Sequence, residues 1–71
     1  MIQADVFTGS AIGRITKRTF IVDAASVQEV EAMTEDFELL TFGEVVNIVA
    51  VEISDEEAAE LIESGEAELM N

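Results

Sequence analysis

Two Ser-x-x-Glu boxes constrain this chain more than any other feature. In Ser26-Val27-Gln28-Glu29 and Ser54-Asp55-Glu56-Glu57, the serine oxygen can accept the amide three residues on while the glutamate reaches back to the serine amide. Each box starts a helix. The first is expected to run to about Thr34 or Glu35, with Val27, Val30 and Met33 or Thr34 on its buried stripe. The second places Asp55, Glu56 and Glu57 in its first turn, where the helix dipole favours negative charge, and buries Ala58, Leu61 and Ile62. Gly65 follows where a left-handed helix stop belongs.

Outside the helices the pattern has a period of two. Residues 1–8 alternate, with Ile2, Ala4 and Val6 on one side and Gln3, Asp5 and Phe7 on the other, which predicts a strand. Thr8-Gly9-Ser10-Ala11-Ile12-Gly13 reads as a turn, and residues 14–23 resume alternation to close a hairpin. Residues 37–42 read as a strand, Gly43-Glu44 as a break, and residues 45–53 as a longer strand rich in Val and Ile. Residues 66–70 alternate as a final edge strand. The expected fold is α+β: one small domain over residues 1–71, with a mostly antiparallel sheet of four to five strands and two short helices. Its order is β-β-α-β-β-α, closed by that edge strand.

The strand over 45–53 is apolar on both sides. Val45, Val49, Val51 and Ile53 fall on one face around Asn47, and Val46, Ile48 and Ala50 on the other. Either the helices cover opposite faces of the sheet or an uncovered face meets another chain. With 71 residues and no cysteine, the domain has little core to spare, which favours self-association. The residues expected to mediate it are Arg14, Lys17, Arg18, Val46 and Ile48.

Charge narrows the function. Sixteen acids against three bases give a net charge of −13. All three bases lie in Gly13-Arg14-Ile15-Thr16-Lys17-Arg18-Thr19-Phe20, and residues 25–71 hold fourteen acids and no base. On a strand, Arg14, Thr16 and Arg18 share one face and Lys17 the other. These cations are expected to pair with acids of neighbouring strands or of a second copy, or to guard a sheet edge.

Histidine and cysteine are absent, which removes histidine-based triads, thiol nucleophiles and histidine or thiolate metal sites. The glycines at 9 and 13 lack the Lys-Ser/Thr of a phosphate-binding loop, and Ser54-Asp55-Glu56-Glu57 lacks the alternating ligands of a calcium loop. No catalytic residue, metal or cofactor is expected. The longest apolar run, residues 45–51, is broken by Asn47 and is far short of the roughly 20 residues that span a bilayer. No basic region and apolar stretch open the chain, so a soluble cytoplasmic protein is expected.

Binding remains. An acidic surface of this strength repels nucleic acid and steers basic partners. It is expected to act as an inhibitor or decoy, presenting carboxylates to a basic, nucleic-acid-binding protein where phosphates would otherwise sit. The candidate groups are Glu29, Glu31, Glu35 and Asp36 around the first helix, with Asp55, Glu56, Glu60 and Glu63 on the second. In size and charge the chain is similar to small phage-encoded inhibitors, some of which mimic DNA. The alternative is an assembly subunit or homo-oligomer joined through its apolar sheet face, with acidity serving solubility or high-salt adaptation.

Overall fold

A computed structural model of the chain describes residues 1–70. Strand β1 (Ile2–Gly9) and strand β2 (Ile15–Val22) form the expected antiparallel hairpin. Its loop is closed by Gly13 N–H to Ser10 O and Ser10 N–H to Arg14 O, both 2.9 Å. Gly13 has a φ of 79°, a left-handed conformation that glycine adopts without strain. Helices α1 (Val27–Glu31) and α2 (Thr34–Thr41) follow, then strand β3 (Glu44–Glu52), helix α3 (Asp55–Glu63) and the two-residue strand β4 (Glu68–Leu69). The α+β domain is thus present, with a four-stranded mixed sheet in the order β3-β1-β2-β4 and three helices. Only β4 pairs in parallel, with β2. Among the described residues no helix is long and apolar enough to cross a membrane.

Both serine boxes cap as expected: Glu29 N–H donates to Ser26 Oγ at 3.2 Å and Glu57 N–H to Ser54 Oγ at 3.1 Å. The Glu29 carboxylate accepts from Ala25 N–H rather than from the serine amide. Residues 37–42 depart from expectation, since most of them lie in α2 and not in a strand. One contact decides the helix. Phe37 is 0% exposed and packs on Phe20 with ring centroids 5.5 Å apart, which a short helix with Glu35 and Asp36 in its first turn allows. Tertiary contact decides such segments against local propensity.

The helices cover opposite faces. The first face, carrying Ile2, Ala4, Val6, Phe20 and Val22, lies beneath Val30 of α1 and Phe37 of α2. The second buries Ile21 against Ala58 of α3 and Ala67, with Ile53 and Leu61 beside them. Ile62, expected inside, is 37% exposed. The connections β2-to-β3 and β3-to-β4 join parallel strands and cross the sheet in opposite directions. Equal handedness then requires them to run over opposite faces, as they do.

The register of β3 corrects one further expectation. A bulge lies where Phe7 pairs with Asn47 and Thr8 with Val45, leaving Val46 as the extra residue. Val45 therefore joins Ile48 and Ala50 against the first core. Val46 turns to the second face, where its Cγ1 stands 3.5 Å from the position a β-carbon on Gly9 would take. Val46 and Ile48, expected on one face, are on opposite faces.

Candidate interaction surface

The eight carboxylates expected to meet a partner fall into two groups with the sheet between them. Glu29, Glu31, Glu35 and Asp36 belong to the α1–α2 layer, and Asp55, Glu56, Glu60 and Glu63 to α3. All eight are exposed. Glu29 is occupied by Ala25 N–H at 3.1 Å, and Asp55 lies 3.9 Å from the Met1 ammonium. Glu56, Glu60 and Glu63 have no hydrogen bond or ion pair among the described residues. Their spacing of four and three residues places them along one side of α3. Among the described residues no group of three or more acids converges as metal ligands.

The basic cluster is divided by the strand that carries it. Arg18 is engaged within the chain at its surface: its Nε and Nη2 donate to Glu68 Oε2 and Oε1 at 2.9 and 2.7 Å, and its Nη1 donates to Leu40 O at 3.1 Å. The guanidinium also lies 5.1 Å from the centroid of Phe20. One side chain thus ties β2, β4 and the end of α2 together. The two-pronged bond raises the Arg18 pKa and holds Glu68 below the usual glutamate range. Arg14 and Lys17 are exposed and form no ion pair among the described residues. Pairing with a neighbouring strand therefore describes Arg18, the cation nearest β4.

The second sheet face is closed at one end only. Where α3 crosses, Ile21 is fully buried. Toward the hairpin loop, half-buried Phe7 lies in register between Lys17 and Asn47, and Ile15 is exposed. Along β3, Val46, Val49 and Val51 are 54%, 46% and 46% exposed. Ile48 is half-buried on the other face. Of the residues expected to self-associate, Val46 and Lys17 border this open half, Arg18 is engaged elsewhere, and Arg14 lines a depression with Ser10, Glu38, Phe42 and Glu44.

One feature escaped the sequence reading. Strand β3 is an edge and pairs only with β1. Ile53 donates to Met1 O at 3.0 Å while the Met1 ammonium donates to Ile53 O at 3.5 Å, so residues 1 and 53 form a hydrogen-bonded pair. Such pairs alternate along an antiparallel ladder. Val51, Val49 and Asn47 therefore aim their backbone groups at β1, and Glu52, Ala50 and Ile48 aim theirs at the open edge. The two-sided apolar run of β3 was the visible signal, but it is equally what an interior strand would show.

The chain matches no protein-family model, no curated protein and no solved structure. Any functional reading rests on this geometry and charge.

Proposed function

We propose that the protein is a non-catalytic binding module that presents carboxylates to a basic partner, as an inhibitor or decoy of a nucleic-acid-binding protein. The observation that carries this reading is the row Glu56, Glu60 and Glu63 on α3, exposed and unneutralised among the described residues. Like charges at these spacings cost the helix a few tenths of a kcal/mol per pair, and a row of lysines or arginines removes that cost on binding. Lysine and arginine side chains that hold phosphates accept carboxylates through the same charge-assisted bonds. Because the second acid group lies across the sheet, a flat partner engages one group, whereas a cleft that embraces the 18 by 25 Å cross-section engages both.

Competition tests this reading. Purified basic nucleic-acid-binding proteins are held on labelled duplex DNA, and the chain is titrated in at several salt concentrations. Displacement that weakens as salt rises, and weakens again in the E56Q/E60Q/E63Q variant, is the expected result. Displacement indifferent to the triple substitution would sink the assignment to α3.

A second reading has its own observation. The open half of the second face, with Val46, Val49, Val51, Ile15 and Phe7, is an apolar surface that a second copy would cover. Its test is the mass in solution: a dimer that persists at high salt supports it, and a monomer at all concentrations removes it.

A further inference from the structure

We infer that the β3 edge receives an extended segment of a basic partner by strand addition, with apolar and Lys or Arg residues alternating along the incoming strand. The inference rests on the reading of this chain as a module for basic partners, and it names a different part of the molecule as the contact.

Three observations lead to it. First, the N–H and C=O groups of Ile48, Ala50 and Glu52 point outward and have no hydrogen bond to another element or side chain among the described residues. A row of this kind is a template for another strand. Second, the edge lacks the usual protection. It contains no Lys, Arg or Pro. Its bulge and the bond from Val45 N–H to Glu38 Oε2, 3.1 Å, blunt only its start. The opposite edge, by contrast, is a two-residue strand pinned by Arg18 and Glu68.

Third, the charges around the edge specify its occupant. On the second face an added strand lies beside Val49 and Val51, which suits apolar side chains. On the first face it lies beside Glu52 and a depression where Ile48 and Val45 meet Glu31 of α1 and Thr34 of α2, whose only charged group is a carboxylate and which suits cations. Residues of a strand point alternately to the two faces, so the matching sequence alternates apolar and basic. A second copy fits less well. Its own β3 brings another Glu44 and Glu52, and its three cations lie elsewhere. Like charges brought together across a strand pair oppose association.

The experiment titrates a ten-residue peptide of alternating Val and Lys into the isotopically labelled full chain and follows backbone amide shifts. Saturable shifts centred on residues 48–52 are expected. The same peptide N-methylated at alternate residues keeps its charge but loses the backbone donors, and it should bind at least tenfold more weakly. Ala50→Pro removes an outward N–H without touching the ladder to β1 and should weaken binding similarly. Circular dichroism checks its fold, and the N-methylated peptide tests the same bond on the unaltered chain. E56Q/E60Q/E63Q should retain peptide binding at the edge, which separates this site from the α3 row. Shifts confined to α3, equal affinity for the methylated peptide, or a peptide-free dimer that Ala50→Pro dissolves would each overturn the inference.

Discussion

One face of this sheet lies under two helices, of five and eight residues, and the other under a single helix of nine; only the first is closed. On the first, α1 and α2 lie between parallel strands that flank β1, a short crossing that sets Val30 and Phe37 over the middle of the sheet. On the second, α3 leads from one edge strand to the other, past both central strands. It seals the region around Ile21 and leaves bare the hairpin end and the β3 edge, where Val51 is exposed beside Gln3. The contrast teaches that closure depends on where a crossover must land as much as on the apolar residues it carries.

The largest test of the comparison is Phe37→Ala. Removing the ring at the centre of the closed face should cost about 3–5 kcal/mol. Stability of roughly 0.05–0.15 kcal/mol per residue gives 71 residues about 4–11 kcal/mol in all, so the urea midpoint should fall by a large fraction. Ile21→Ala on the partly closed face should cost less, about 2–3 kcal/mol, because its buried neighbours Ala58 and Ala67 are small and the half-buried Ile53 and Leu61 around them can settle into the space. Equal losses in urea melts would mean that the second face is as closed as the first.

Phe42→Gly should act in the opposite direction. Phe42 ends α2 with a φ of 55° and is 95% exposed, so it holds a left-handed conformation with almost no burial in return. Glycine there should raise stability by about 1 kcal/mol, measured as a higher urea midpoint. A loss would reveal packing by the ring.

Smaller still is Arg18→Gln, which unties β4 and should cost about 0.2–1 kcal/mol at neutral pH, since the pair is largely exposed and screened. Glu68 is held below its ordinary value, so its share is complete above the unfolded value of about 4.3 and lost as pH falls through the folded one. Arg18 is raised, and its share stays constant across this range. The gap between the two proteins should therefore narrow progressively as pH falls below that unfolded value, followed in parallel thermal melts. A constant gap would assign the effect to the bond with Leu40 O or the contact with Phe20.

Smallest is Val49→Thr on the open half, expected to shift stability by no more than about 0.5 kcal/mol. A larger loss in dilute solution, or one that depends on protein concentration, would show that this half is covered by another chain.

Much of this was legible in the chain. The period-two pattern of residues 1–8 and 14–23 became the hairpin, and both serine boxes became caps, because these signals depend on neighbours a few residues apart. The helix over residues 34–41 was not legible, because what fixes it is a single ring, Phe37, entering the core against Phe20 on a different element. Nor was the split of the carboxylates. Charge can be counted along a sequence, but whether Glu31 and Glu60 share a surface depends on which face each crossover takes.

By itself, then, the sequence determined the acidity, the absence of histidine and thiol chemistry, the hairpin and the starts of two helices, all set by composition or by local spacing. Only the tertiary structure decided that β3 is an edge, that the bulge turns Val46 away from Ile48, and that Arg18 closes on Glu68 fifty residues away. Strand order and register follow from how the whole chain crosses its own sheet, and no local pattern encodes that path.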